Sequence, residues 1–235
     1  MLVMAAVITA ATALLAACSV GQDITLETTG AGTVSMRIKL EKVFMDYLDD
    51  LAELTGQGKR GRIFDLEEIK KGFAEREDVQ LRRVSSPTPD ALEMELSFLN
   101  LERVFAREER LQQAGVVAFT KVPEGYSVRF QLNRGNFPQV MEFLPFLKNP
   151  LFEGLAPREG DVTTEAEYLE MIELALGEEG SRMLKASTIE TRAAVKGTLL
   201  SQRGGTVSGG VVTFRVPLLQ ILLLEKPLEY SLVFR

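Results

Sequence analysis

The one thiol of this chain, Cys18, closes the tetrapeptide Leu15-Ala16-Ala17-Cys18 at the end of an uncharged apolar run, and no histidine exists anywhere to pair with it. With a single cysteine and no histidine, zinc sites, iron–sulfur clusters, Cys–His nucleophiles, Ser-His-Asp triads and disulfides are excluded on inventory. Carboxylates remain, and Glu165, Glu167, Glu170 and Glu173 are the densest group. Acid-base hydrolysis of glycosides needs two carboxyls facing each other across a cleft about 5–9 Å wide, one of them in an apolar setting. These four fall at helical spacing opposite an apolar stripe, the pattern of a solvated helix face. No cofactor and no metal is expected.

Two glycine clusters resemble phosphate cradles only superficially. Gly30-Ala31-Gly32-Thr33-Val34-Ser35 lacks the third glycine of a dinucleotide fingerprint and leads into a strand, so no helix N-terminus follows to receive a pyrophosphate. Gly204-Gly205-Thr206-Val207-Ser208-Gly209-Gly210 carries neither a Gly-Lys-Ser/Thr nor a nucleophile elbow. Both read as turns. A formal net charge of −6 and a pI near 5.0 argue against a nucleic-acid partner. Hydrophobic residues at 46% beside 26% charged are ordinary for a globular domain with its own core.

From Leu2 to Ala17 the chain has no charge and ends in small side chains, followed at once by the polar Ser19-Val20-Gly21-Gln22-Asp23. The run is at the short limit for a bilayer span and suits a signal-peptide core. Leu15-Ala16-Ala17-Cys18 resembles in full the lipobox of bacterial lipoproteins, Leu-(Ala/Ser)-(Gly/Ala)-Cys; the usual Lys/Arg ahead of the apolar run is missing. The resemblance implies removal of residues 1–17, a diacylglyceryl group on the Cys18 sulfur and acylation of the new amino terminus. Several acyl chains matter, because one alone anchors only marginally at ~0.8 kcal/mol per buried methylene. Ser19 rather than Asp after the cysteine implies, by the family's sorting preference in Gram-negative envelopes, the periplasmic side of the outer membrane.

The elements that follow set the architecture. Ile24 to Thr28 and Thr33 to Leu40 read as a hairpin, with Val34, Met36, Ile38 and Leu40 alternating against Ser35, Arg37 and Lys39. An amphipathic helix over 41–55 ends at Gly56. A second helix over about 65–77 has Asp65 as its N-cap. Strands at 79–84 and 91–99 and a helix capped by Asn100 and stopped by Gly115 repeat the order, and strands at 116–122 and 126–132 begin a third round. Thr164 and Glu167 make a capping box for a helix over 164–176. The end turns β-rich, with strands at 188–200, 211–216 and 228–234. Residues 216–224 are too few to cross a bilayer and are broken by Pro217, leaving Cys18 as the expected membrane attachment.

The expected fold is α+β, an antiparallel or mixed sheet built from hairpin-plus-helix units with helices mainly on one face. Residues 18–235 are read as one domain, with units at about 23–56, 79–115 and 116–176 and a β-rich end over 188–235. Its β-rich start and the Gly-punctuated closing strands, Lys196-Gly197-Thr198 through Gly209-Gly210-Val211-Val212-Thr213-Phe214, together with the lipobox, are similar to the LppM-type lipoprotein domain. That resemblance implies a lipid-associated envelope protein.

The candidate functional surface is the proline-broken apolar segment 137–155, with Phe137, Met141, Phe143, Phe146, Leu151 and Phe152 among Pro138, Pro145 and Pro150. Two roles are open for it: a plug that completes the core, or a lid or groove wall for an acyl chain or a partner's apolar side chain. The functional expectation is a lipid-anchored envelope protein that binds a lipid, a hydrophobic ligand or an envelope partner and does not catalyse. The alternatives are a structural adaptor in an envelope assembly and a carboxylate-dependent hydrolase.

Overall fold

A computed structural model describes residues 18–54, 64–107, 109–142 and 164–235. The chain is α+β, but its strands form two sheets rather than one. β1 (Cys18–Glu27), β2 (Gly32–Leu40), β3 (Val79–Ser85), β4 (Ala91–Phe98), β7 (Thr188–Lys196), β9 (Thr206–Ser208) and β10 (Val211–Pro217) build a seven-stranded sheet in the order β3-β4-β2-β1-β7-β10-β9. β5 (Val117–Val122), β6 (Gly125–Leu132), β8 (Leu199–Arg203) and β11 (Leu228–Phe234) build a four-stranded antiparallel sheet in the order β5-β6-β11-β8. The first two hairpins therefore share a sheet, and the third stands in the other.

Period-two alternation orients the large sheet. Val20, Ile24 and Leu26 of β1, Val34, Met36, Ile38 and Leu40 of β2, and Leu92, Met94, Leu96 and Phe98 of β4 are buried on its inner face. The outer face carries charge. Arg37 pairs with Asp23 at 2.8 Å and Arg215 with Glu190 at 2.7 Å, both solvent-exposed, so each contributes at most about 1 kcal/mol. Register is set in the middle of the sheet, where β1 pairs antiparallel with β2 from Cys18 opposite Leu40 to Leu26 opposite Gly32. On its other side β1 pairs parallel with β7, Val20 opposite Ile189 through Glu27 opposite Lys196.

The helices and the small sheet cover the same inner face. α1 (Lys42–Leu54) buries Phe44, and α2 (Leu66–Ala74) buries Phe73. Asp65 caps α2, accepting from the N–H groups of Glu67 and Glu68 at 2.9 and 3.0 Å. α3 (Leu101–Ala106) is capped by Asn100 and followed by α4 (Glu109–Gln113). α5 (Phe137–Glu142) and α6 (Glu165–Ala186) follow, α6 opening on the Thr164–Glu167 capping box. The expected helix at 164–176 continues to Ala186 after a break at Gly177, whose φ of +72° only glycine adopts freely.

α7 (Leu218–Leu223) has no amphipathic stripe, because Leu218, Leu219, Ile221, Leu222 and Leu223 are all buried. Its C-terminal carbonyl, on Leu223, accepts from Arg134 Nε and Nη2 at 3.0 and 2.8 Å. The run at 216–224 is thus a core helix preceded by Pro217. Among the described residues no helix is long and apolar enough to cross a membrane.

Candidate binding cavity

Between the two sheets lies an apolar cavity of about 140 Å³. Its floor is β7, with Ile189, Thr191 and Ala193, flanked by Ile24 and Leu26 of β1 and by Phe214 and Val216 of β10. The opposing wall comes from Val128, Phe130 and Leu132 of β6 and from Leu228, Tyr230 and Leu232 of β11. Side-chain size explains the space: the middle of the floor is Thr191 and Ala193, which stand low beneath larger residues on the facing sheet. Phe98, Leu101 and Phe105, with Ile221 of α7, complete the lining.

Aromatic rings hold the wall in place. Phe130 and Tyr230, opposite each other in the β6–β11 register, stack with centroids 6.3 Å apart. Tyr230 meets Phe214 of the other sheet edge to face at 5.3 Å. A second series runs Phe105–Phe119–Tyr126–Phe234 with successive centroids 5.5, 5.5 and 5.8 Å apart. Such pairs add about 0.5–1.5 kcal/mol each beyond their area burial. Burial pushes the Tyr230 hydroxyl above its ordinary pKa, so it is a neutral donor across the physiological range.

The Gly204-Gly205 turn has a packing reason. A Cβ on Gly204, which sits at φ +85°, would lie 2.6 Å from Tyr230 Cδ1, and one on Gly205 would lie 2.8 Å from Phe214 Cδ1. The Gln202 side chain fixes the turn, accepting from Gly205 N–H at 3.1 Å and donating to its carbonyl at 3.0 Å. These glycines let the connection between β8 and β9 close over the Phe214–Tyr230 pair.

The sequence pointed elsewhere for this site. Phe137, expected on a ligand or partner surface, is 1% exposed and belongs to the core, together with Val140. Reciprocal hydrogen bonds between Asn133 and Asn136, each backbone N–H to the other's Oδ1 at 2.8 and 3.1 Å, turn the chain so that α5 enters the interior. Met141 follows on α5. Phe143, Phe146, Leu151 and Phe152 lie outside the described residues. Cys18 is the first residue of β1, in register with Leu40.

None of the residues that line the cavity was singled out from sequence. The signal available was the inward alternation of Phe130, Phe214 and Tyr230, which marks a buried face but not a space. The carboxylate group on α6 is exposed at Glu165, Glu167, Glu170 and Glu173, and Glu167 is engaged in the capping box, its Oε2 accepting from the Thr164 N–H at 2.8 Å. Among the described residues no cluster of His, Cys, Asp and Glu could hold a metal ion.

No protein-family model and no curated protein matches the chain. Among solved structures, the NMR structure of the folded domain of LppM from Mycobacterium tuberculosis aligns over 94% of this chain and 90% of that one, with a TM-score of 0.42 and 7% sequence identity. A likeness at that level carries no argument about the site.

Proposed function

We propose that this is an exported envelope protein, anchored by acylation of Cys18, whose domain binds a lipid or other small hydrophobic ligand between its two sheets and catalyses no reaction. The observation that carries the binding is the cavity. A hydrophobic ligand seated in this space of about 140 Å³ exchanges water for an apolar lining, which is favourable by about 25 cal/mol per Å² of apolar surface buried. The lining supports an apolar guest, since it is aliphatic and aromatic apart from three hydroxyl residues. The lipobox supports the anchor, and Ser19 after it favours the outer membrane in a Gram-negative envelope.

The test is mass spectrometry of solvent extracts from protein purified out of its own membranes. One hydrophobic species should co-purify in near-stoichiometric amount and be lost on denaturation. Folded protein that yields a clean extract would sink the binding reading.

A further inference from the structure

The walls of the cavity narrow the chemistry of what enters it, given the reading that it takes a ligand. Among the described residues its lining includes no Asp, Glu, Lys or Arg; its polar side chains are the hydroxyls of Thr191, Tyr230 and Ser231. A carboxylate, phosphate or ammonium carried whole into this space would shed its water and meet no countercharge, a penalty that a neutral group avoids. Thr191 stands at the middle of the floor, with Phe214 opposite it on the neighbouring strand, and offers a donor and an acceptor where the other floor side chains offer hydrocarbon.

Size sets a second limit. The volume matches that of an engineered cavity of about 150 Å³ which stays dry and takes up benzene. The floor from Ile189 to Ala193 is four strand steps, roughly 13 Å long. We propose that the cavity selects a neutral aliphatic alcohol, as a whole molecule of about six carbons or as the hydroxylated end of a longer chain, lying along β7 with its hydroxyl on Thr191.

The purified protein is titrated by NMR with 1-hexanol, toluene and hexanoate, at a pH well above the carboxylate's own pKa, while the methyl signals of Ile189 and Ala193 are followed. 1-Hexanol and toluene should shift both methyls, and hexanoate should bind at least about 100-fold more weakly than 1-hexanol. Thr191→Val, which keeps the shape, should weaken 1-hexanol roughly fivefold and leave toluene unchanged. Hexanoate binding on a par with 1-hexanol overturns the proposal, as does a Thr191→Val protein that holds 1-hexanol as tightly as before. Toluene and 1-hexanol both failing to bind overturns the underlying reading of a ligand site as well.

Discussion

Phe214 on the seven-stranded sheet and Tyr230 on the four-stranded sheet meet edge to face, with ring centroids 5.3 Å apart and planes at 71°. The pair joins the two sheets beside the cavity, under the Gly204-Gly205 turn. Phe214 is 8% exposed, so Phe214→Ala should destabilise the fold by about 3–5 kcal/mol. Tyr230→Phe keeps the ring and should cost less than about 1 kcal/mol. Urea unfolding of the two variants checks the contrast; equal losses would mean that the hydroxyl, not the ring contact, holds the sheets.

Filling the cavity separates ligand binding from folding. Ala193 is 2% exposed and lies on the floor, so Ala193→Leu places its added carbons in existing space. Stability should stay level or rise by about 1 kcal/mol, where overpacking elsewhere in a core costs about 1–3 kcal/mol. A hydrophobic species that co-purifies with the wild type, as the binding proposal expects, should be absent from extracts of this variant. Thermal unfolding and extract mass spectrometry, run on the same preparation, give both readouts.

Between α2 and β3, Arg76 and Asp78 form an ion pair at 2.5 Å with side chains only 6% and 3% exposed. Burial pushes the Asp78 carboxyl up, but the hydrogen bond and charge of Arg76 and the nearby charge of Arg107 outweigh it, and its pKa ends below the ordinary carboxylate value. Asp78→Ala leaves a buried guanidinium without its closest partner and should cost about 3–5 kcal/mol. Because the folded pKa is depressed, the pair's contribution is present above the unfolded carboxylate value and is lost as pH falls through the folded one. Denaturant titrations across the acid range should show wild type losing its advantage over Asp78→Asn as the medium is acidified.

Strands and caps were legible because each is a local decision. Val34, Met36, Ile38 and Leu40 alternate with polar neighbours since one face of β2 is wet, and Asp65, Asn100 and Thr164 sit where orphan N–H groups need an acceptor. What failed depends on distant chain. Residues 188–200 read as one strand, yet the chain leaves the large sheet at Gly197, where a Cβ would lie 2.2 Å from the Arg235 carbonyl, and enters the small sheet as β8. Nothing local to Thr198 announces that Arg235 will pair with it, through N–H to O bonds of 2.7 and 3.0 Å.

The cavity was invisible for a related reason. Alternation says that Thr191, Phe130 and Tyr230 point inward, but not how far apart the facing sheets stand. Phe137 opens the segment for which a core plug and a binding surface were both open, and the Asn133–Asn136 turn delivers that ring to the core.

Acylation has a direct test. Cys18→Ala should abolish incorporation of labelled palmitate while full-length protein is still made. Labelling that survives the substitution would place the lipid elsewhere or remove it from the account.

The register of Cys18 with Leu40 has a mechanical corollary for the lipid-anchored form. A lipid on that residue leaves the domain no leash: the first residue after the acyl group is already a rung of the central ladder. The standing height of the domain is then one thioether and a glyceryl unit, and its tilt is that of the sheet. A flexible spacer inserted between Cys18 and Ser19 would release it, which site-specific fluorescence quenching by brominated lipids can measure as added distance.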